Sequence, residues 1–299
     1  MDLQKNDITY WKKPWFQFLA LLILAFIWGS SFILMKTGLK SFSSEQVAGI
    51  RILLASLVLL PFSIKNLKFL KKEDVKSLLI VGFLGSFIPA FLFTKAQTQI
   101  DSSLAGMLNS LSPVFTLIIG MLLYKTNFKS LQALGIVIGL IGALGLIVSG
   151  DGLSIGNVNA YTLLIVLATI FYAINANEIK SQLSHLTGIQ VTSLAFLFTL
   201  PASIIYLLTT NFKPVFTNPS WTIHLLSIAA LGIIGTALAA LLLNIIIRNT
   251  SAIYAQSVTY IIPIFAIFWG LMDGEMISAL HLVSMCFILL GVYLTNKKN

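Results

Sequence analysis

Residues 105–120 read AGMLNSLSPVFTLIIG, and residues 255–270 read AQSVTYIIPIFAIFWG. An alanine, a proline, a phenylalanine and a glycine recur at the same places in both stretches, 150 residues apart. Two glycine pairs, Gly82/Gly232 and Gly85/Gly235, share that offset. Pairs nearer the start of each half are 144 residues apart: Lys36/Lys180, Gln46/Gln190, Val47/Val191 and Leu53/Leu197. Glycine and alanine recur by chance in apolar sequence, but constant offsets that include Gln-Val and proline favour a true repeat. We therefore expect two related halves, 1–150 and 151–299.

The composition places both halves in a membrane. Of the 299 residues, 57% are hydrophobic and 10% are charged, and the mean hydropathy is +0.93. A soluble domain has about 25% charged residues, and the alternating polarity of an outer-membrane barrel is absent. We predict an all-α membrane protein with about ten transmembrane helices, because a span needs roughly 20 apolar residues. The predicted spans are 16–38, 45–64, 75–96, 102–123, 130–149, 158–179, 187–208, 221–246, 251–272 and 278–295. The change of offset from 144 to 150 places an insertion between the seventh and eighth spans.

The distribution of lysine and arginine predicts the orientation. With the N-terminus in the cytoplasm, fourteen of them fall on the cytoplasmic side and four on the outside, as the positive-inside rule requires. Both termini are then cytoplasmic in a multi-pass protein of the cell (inner) membrane. Since each half has five spans, an odd number, the second half must be inverted relative to the first. The fold class is therefore predicted as two inverted five-helix repeats.

Several other functions lack a sequence signal. The net charge of +9 comes from lysines in short loops rather than on one basic face, so no nucleic-acid partner is expected. Cys286 is the single cysteine, and the three histidines form no HExxH pair, so we expect no metal site and no cofactor. No Walker A motif is present, which disfavours ATP-driven transport within this chain.

Short motifs in both halves resemble those of EamA-type transporters, which belong to the drug/metabolite transporter superfamily. The motifs are Trp28-Gly29-Ser30-Ser31, Arg51-Ile52-Leu53-Leu54, Leu108 to Pro113, Gly232 to Ala240, Tyr260-Ile261-Ile262-Pro263 and Gly274-Glu275. The resemblance covers about residues 16–295. It implies ten helices in two inverted repeats, a central cavity, alternating access, and export of amino acids, nucleosides, other metabolites or toxic compounds. It does not identify the substrate.

Two positions depart from the family pattern. Tyr124-Lys125 stands where the first repeat often has Gly-Glu. The segment from Phe16 to Lys36 contains no acid, although the small multidrug-resistance relatives have a membrane-embedded glutamate in their first helix. The energy source of transport therefore stays open at this stage.

Ionisable residues inside spans are functional candidates because their burial in lipid is expensive. Arg51 is read either as a cavity cation for a substrate carboxylate, or as a structural pair or snorkelling side chain. Lys36 lies close to the cavity implied by the resemblance, with snorkelling as its alternative. Glu178 is expected to pair with Lys180 or a loop, and Glu275 to tether the loop after the ninth span.

Polar residues near the two repeat-related prolines nominate a site at the membrane midplane. Pro113 and Pro263 release the backbone carbonyls of Asn109 and Thr259, and secondary transporters bind substrates at such interrupted helices. Polar packing between helices is the alternative. Trp28 and Ser31 of the first span align with Tyr172 and Asn175 of the sixth, and the two aromatic rings could stack on a planar or apolar substrate. The predicted cavity residues are Trp28, Ser31, Lys36, Arg51, Asn109, Ser112, Pro113, Tyr172, Asn175, Gln256, Thr259, Tyr260 and Pro263.

The sequence favours a secondary transporter that exports a small metabolite or drug-like compound by alternating access. Its partners would be a small-molecule substrate and the lipid bilayer, and monomer and homodimer both remain open. The alternatives are an intramembrane enzyme and a non-transporting scaffold. The enzyme lacks paired intramembrane acids and a G-x-S-x-G motif, and the scaffold lacks a sizeable soluble part.

Overall fold

The computed structural model describes residues 13–125, 130–149, 160–250 and 258–296. All regular elements within these ranges are helical. Seven of them are single helices: α1 (Pro14–Gly38), α2 (Ser44–Asn66), α5 (Ser130–Ser149), α6 (Ala160–Gln182), α7 (Gly188–Leu208), α9 (Val258–Met272) and α10 (Ala279–Asn296). The prediction of an all-α protein is confirmed for the described part of the chain.

Three further helices are interrupted. In α3, the α-helical segments Val75–Gly82 and Ile88–Ala96 flank a π-helical turn, Phe83–Phe87. In α8, Trp221–Gly232 and Ala239–Asn249 flank a second π-helical turn, Ile233–Leu238. The two π-helical turns begin 150 residues apart, which is the offset of the sequence repeat. Such turns occur frequently at functional sites.

The fourth helix, α4, is broken rather than wound into a π turn. It consists of Ser102–Asn109 and Ser112–Tyr124, with Ser110 and Leu111 between them. Pro113 stands in the first turn of the second segment, where its missing N–H leaves no carbonyl of that segment unpaired. The proline thus ends one helical segment and begins the next.

The helices have the length and polarity of membrane spans. Eight of the described helices are long and apolar enough to cross a membrane, and two shorter apolar helices lie at Val258–Met272 and Ala279–Leu294. The predicted ninth span begins at 251, and residues 251–257 lie outside the described ranges. Large apolar side chains such as Leu208 and Leu122 are exposed on the outer faces, as lipid contact requires.

The same capping device begins α2 and α7. Ser43 Oγ accepts a hydrogen bond from the Gln46 backbone N, and the Gln46 side chain accepts one from the Ser43 backbone N. Thr187 and Gln190 form the equivalent pair of bonds before α7. A capping box satisfies two backbone donors that a helix N-terminus otherwise leaves free. The repeated Gln46-Val47 and Gln190-Val191 dipeptides therefore mark two equivalent helix starts.

Glycines make two equivalent contacts between the halves, one with the glycine in the first half and one with the glycine in the second. A Cβ atom at Gly82 would lie 2.7 Å from the carbonyl oxygen of Ala195, and one at Gly232 would lie 2.8 Å from that of Arg51. Gly82 corresponds to Gly232 at the offset of 150, and Arg51 corresponds to Ala195 at 144. Each half therefore offers a glycine to the same position of the other half.

A second pair of contacts follows the same rule. Gly85 packs against the side chain of Asn175, and Gly235 packs against that of Ser31. Ser31 and Asn175 are again 144 residues apart. These glycines therefore permit close contact between helices.

Glycines of α5 and α10 also make a close contact. A Cβ atom at Gly291 of α10 would lie 2.6 Å from the Gly135 carbonyl oxygen, and one at Gly142 would lie 2.6 Å from the Ser284 carbonyl oxygen. The fifth and tenth helices thus pack backbone against backbone, as small residues allow in membranes.

Candidate transport site

Arg51 of α2 is a cation that has no carboxylate partner among the described residues. Its Nε donates a 2.8 Å hydrogen bond to Oγ1 of Thr236, whose hydroxyl donates in turn to the Leu231 carbonyl oxygen at 3.0 Å. No described carboxylate lies within 4.0 Å of the guanidinium. A guanidinium has five N–H donors, so most of them have no described protein acceptor. Arg51 is partly buried.

Tyr172 and Asn175 of α6 bring two further polar groups to this region. They are three residues apart and therefore lie on one face of the helix. Tyr172 interacts electrostatically with Arg51, and its ring stacks on Phe93 with centroids 6.1 Å apart. Oδ1 of Asn175 is buried and accepts no hydrogen bond from the described residues. Since Asn175 packs against Gly85, α6 meets the π-helical turn of α3 at this point.

Trp28 and Ser31 of α1 meet the π-helical turn of α8. Trp28 Nε1 donates to the Gly235 carbonyl oxygen at 3.2 Å, and Ser31 packs against the same glycine. The next residue is Thr236, the partner of Arg51. The structure therefore brings five predicted site residues and Thr236 into one connected group. We call this the central polar cluster: Trp28, Ser31, Arg51, Tyr172, Asn175 and Thr236.

Two residues of the central polar cluster, Arg51 and Asn175, have hydrogen-bonding atoms without a partner among the described residues. Arg51 offers N–H donors and a positive charge, and Asn175 offers a carbonyl acceptor. A buried polar group without a partner costs about 1–3 kcal/mol. An anion is the ligand that complements Arg51, and an N–H or O–H donor is the group that complements Asn175 Oδ1.

The prolines lie at a contact between α4 and α9. Ser112 Oγ donates to the Asn109 carbonyl oxygen at 2.8 Å, and Ser110 Oγ donates to the Thr259 carbonyl oxygen at 3.4 Å. The carbonyl oxygens of Asn109 and Thr259, which the prolines leave without a backbone donor, thus accept hydrogen bonds from serine hydroxyl groups.

The remaining predicted residues of this region are close to that contact. Pro113 and Pro263 are buried, and Tyr260 is partly buried. Gln256 lies outside the described residues. Gly29 packs against the Ile262 carbonyl oxygen, so the proline region borders α1 next to Trp28.

Lys36 takes part in a group of ionic contacts at one end of the spans. Its Nζ lies 2.7 Å from Glu275 Oε1, 2.7 Å from Asp273 Oδ2 and 3.9 Å from Asp101 Oδ1. The predicted cavity lysine is therefore held by carboxylates, and it does not snorkel alone to the interface. A cleft of about 400 Å³ borders Lys36 and Lys40.

Glu275 closes that group onto α4. Its side chain is 2% exposed and accepts hydrogen bonds from Ser102 N, Ser102 Oγ and Ser103 N. Burial opposes ionisation, but the bonds from Lys36, Ser103 and Ser102 outweigh it and lower the pKa of Glu275 to about 2. The expected tether role of Glu275 is confirmed. We call Lys36, Glu275, Ser102 and Ser103 the Lys36 latch.

A second carboxylate joins three helices at the Lys180-bearing end of α6. Ser77 Oγ donates to Glu178 Oε1 at 2.6 Å, and the Tyr124 hydroxyl donates to Glu178 Oε2 at 2.6 Å. Glu178 does not pair with Lys180, which is exposed, because residues two apart on a helix do not face each other. We call Glu178, Ser77 and Tyr124 the Glu178 latch.

Sequence reasoning did not select Thr236, Ser77 or Tyr124. Thr236 carried a usable signal, since it stands four residues after Gly232 and therefore near the same helix face. Ser77 and Tyr124 carried none, because their role depends on how α3, α4 and α6 pack against each other.

The chain is similar in sequence to a family of membrane transporters and to individual bacterial proteins. The family model described as "EamA-like transporter family" matches residues 15–148 and 159–297. The "Uncharacterized inner membrane transporter YedA" of Escherichia coli (strain K12) is 27% identical over 282 residues, which cover 92% of this chain and 89% of the relative. The "Uncharacterized transporter YdfC" of Bacillus subtilis (strain 168) is 27% identical over 158 residues, or 52% of this chain and 51% of the relative.

Two further comparisons concern function and fold. The "Probable amino-acid metabolite efflux pump" of Salmonella typhimurium (strain LT2) is 29% identical over 135 residues, which cover 44% of this chain and 42% of the relative. A solved crystal structure superposes on 92% of this chain and 94% of its own, with a TM-score of 0.63 and 14% sequence identity. At this identity the likeness concerns the fold alone.

Proposed function

Because the chain belongs to the EamA-like transporter family, we propose that it is a secondary transporter that moves a small anionic or zwitterionic metabolite by alternating access. The observation that carries this proposal is Arg51, an arginine inside a membrane span without a described carboxylate partner. Ionisable residues in spans mark substrate and ion pathways when they are not paired within the protein.

The proposed architecture is a pair of inverted five-helix repeats. The contacts Gly82–Ala195 and Gly232–Arg51 exchange equivalent partners, which is the pattern that a two-fold axis produces. The repeat-related π-helical turns and capping boxes support the same relation. Transporters of this design bind substrate where the repeats meet, and the central polar cluster contains residues of both halves.

The proposed substrate follows from the unpaired groups. The Arg51 guanidinium favours a carboxylate, which it can bind through two parallel hydrogen bonds, and it repels a cationic drug. Asn175 Oδ1 favours a substrate that also carries an N–H or O–H donor. The name of the Salmonella typhimurium relative, a probable amino-acid metabolite efflux pump, is consistent with this class.

The proposed orientation rests on the charge distribution, and the proposed direction of transport rests on the names of two relatives. With both termini in the cytoplasm, the Lys36 latch lies at the external end of the spans and the Glu178 latch at the cytoplasmic end. The name of the Escherichia coli relative, an inner membrane transporter, supports the location in the inner membrane. The name of the Salmonella typhimurium relative, an efflux pump, supports export from the cytoplasm.

Counterflow in proteoliposomes tests the proposal. The purified protein is reconstituted in proteoliposomes, which are loaded with one unlabelled compound at a time from a panel of amino acids, dicarboxylates, nucleosides and cationic drugs. Uptake of the same compound in labelled form is then measured. We expect exchange of an anionic or zwitterionic member and loss of exchange in Arg51→Gln. Lys40→Gln, which removes an exposed lysine, is the matched control and should exchange normally. Exchange of cationic drugs alone, or of no compound, would contradict the proposal.

A further inference from the structure

The connection between α2 and α3 is short and lies at the boundary of the membrane. The apolar helical stretch before it ends at Phe69, and the one after it begins at Lys72, so two residues separate them. A span needs roughly 20 residues, and these stretches have 26 and 25. Their adjoining ends therefore reach beyond the hydrocarbon to the level of the lipid headgroups.

Residues 65–76 concentrate positive charge at this boundary. They contain five lysines and two acids, which gives the segment a net charge of +3. Asp74 is buried and its Oδ2 lies 3.2 Å from His185 Nε2, and Glu73 lies 3.6 Å from Lys71. The five lysines are all exposed: Lys65, Lys68, Lys71, Lys72 and Lys76. The acids of the segment thus leave most of its positive charge at the surface.

Apolar side chains stand between these lysines. Leu67 is 44% exposed and Phe69 is 42% exposed, and Lys68 Nζ lies 5.1 Å from the centroid of the Phe69 ring. At a membrane boundary, apolar side chains of this kind enter the acyl region, and lysine ammonium groups stay among the phosphates. We call the following residues the basic surface: Lys65, Leu67, Lys68, Phe69, Lys71 and Lys72.

The corresponding connection of the second half differs in charge. It joins α7 to α8, and residues 209–220 contain one lysine, Lys213, and no acid. Its helical turn, Lys213–Thr217, also exposes a phenylalanine, Phe216. Both connections therefore present an aromatic ring at the end of a span, but the first has five lysines against one. In the proposed orientation the first connection faces the cytoplasmic leaflet, whose anionic lipids attract polybasic segments.

We propose that the basic surface binds the headgroups of anionic phospholipids. The ammonium groups contact the lipid phosphates, while Leu67 and Phe69 enter the adjoining acyl region. A soluble phosphate compound would meet the lysines but would leave both apolar side chains in water, so the combination favours a lipid. The proposal goes beyond the transport function and does not depend on it, because lipid binding needs no substrate.

Native mass spectrometry tests the proposal on the full-length protein in neutral detergent. Bound lipids are counted during titration with dioleoyl phosphatidylglycerol, which is anionic, or with dioleoyl phosphatidylcholine, which is zwitterionic. We expect the wild type to bind phosphatidylglycerol about tenfold more tightly than phosphatidylcholine. The double substitution Lys65→Gln with Lys68→Gln should reduce this preference several-fold.

The matched control removes the same amount of charge elsewhere. Lys40 and Lys213 are exposed lysines in other connections, so Lys40→Gln with Lys213→Gln should keep the preference of the wild type. Lys71→Gln with Lys72→Gln is a second pair within the basic surface and should act like the first, even if the first pair fails to fold. No preference in the wild type, or an equal loss in the control pair, would overturn the proposal.

Two further measurements separate a lipid from a soluble anion. Phe69→Ser should weaken phosphatidylglycerol binding, whereas Phe216→Ser, which alters the exposed ring of the other connection, should not. Millimolar glycerol phosphate should leave the phosphatidylglycerol bound. Displacement of the lipid by glycerol phosphate, with equal binding by Phe69→Ser and the wild type, would assign the basic surface to soluble phosphates and refute the proposal.

Discussion

Arg51 and Thr236 are joined by a 2.8 Å hydrogen bond from Nε to Oγ1, and this bond connects α2 of the first half to the π-helical turn of α8 in the second. Thr236 also donates to the Leu231 carbonyl oxygen, five residues earlier. Its hydroxyl proton is thereby committed, which leaves the oxygen free to accept from Arg51. The π-helical turn thus fixes the direction in which the guanidinium points.

Removing the Thr236 hydroxyl should weaken substrate binding. In Thr236→Val, Arg51 loses its one described acceptor and is no longer held in place. We expect KM for an anionic substrate to rise about tenfold, equivalent to ~1.4 kcal/mol, with a smaller change in maximal exchange rate. The measurement is concentration-dependent counterflow.

A matched threonine elsewhere controls for the loss of a hydroxyl. Thr94 is buried, and its hydroxyl bonds within its own helix to Ala90. Thr94→Val should therefore leave KM unchanged. Equal KM values for Thr236→Val and wild type would show that Thr236 does not position Arg51.

The Lys36 latch should contribute stability that depends on pH in a defined direction. Glu275 has a pKa lowered from 4.5 to about 2, so the folded state favours its ionised form. Its contribution is then fully present above pH 4.5 and is lost as the pH falls toward 2. We expect Glu275→Gln to lower the free energy of unfolding by ~3 kcal/mol at neutral pH, because it removes the buried carboxylate that accepts hydrogen bonds from Lys36, Ser102 and Ser103. Thermal unfolding in detergent between pH 3 and pH 7 measures this.

An exposed ion pair provides the control for Glu275. Glu73 lies 3.6 Å from Lys71, and both side chains are more than half exposed. Exposed pairs contribute about 0–1 kcal/mol, so Glu73→Gln should have little effect at any pH. A difference between wild type and Glu275→Gln that persists undiminished at the acidic limit would contradict the assigned role.

Alanine at either of two glycines should disturb the contact between the halves. A Cβ atom at Gly82 or Gly232 would come within 2.8 Å of a carbonyl oxygen of the opposite half. Overpacking of this kind costs about 1–3 kcal/mol, so Gly82→Ala and Gly232→Ala should lower the melting temperature by similar amounts. Melting temperatures equal to that of wild type in both variants would exclude the close approach, and a large effect in only one would argue against a two-fold relation.

Much of this arrangement could be predicted from sequence because its signals are local or periodic. The glycine pairs indicated two related halves, the prolines marked irregular backbone, and Gly274-Glu275 indicated a tethered loop. Each signal acts within one helix or at one constant offset, so no knowledge of tertiary packing was needed.

The partners of the ionisable residues could not be predicted in the same way. Arg51 bonds a threonine 185 residues away, and Glu178 bonds a serine 101 residues away. The choice between these partners and nearer groups such as Lys180 depends on which helices touch and on how each is rotated. Neither the helix contacts nor the helix rotations can be read from the separation of residues in the sequence or from the span boundaries.

Two asparagines on α6 should respond in opposite ways to replacement by leucine. Asn175 has a buried Oδ1 without a described donor, whereas Asn177 Nδ2 donates to the carbonyl oxygens of Thr116 and Ala173, both at 2.9 Å. Asn175→Leu removes an unpaired polar atom, so the substrate-free protein should become more stable by ~1 kcal/mol. Exchange should nevertheless be lost, because the leucine cannot accept a hydrogen bond from the substrate. Such an opposition is expected of a binding site that is strained when empty.

Asn177→Leu supplies the comparison on the same helix. It leaves the Thr116 carbonyl oxygen without its side-chain donor, so it should lower the melting temperature by several degrees. Thermal unfolding and counterflow on both variants make the test. If Asn175→Leu destabilises the protein as much as Asn177→Leu does, then Asn175 serves packing between α6 and Gly85, and the substrate donor must be sought at another acceptor.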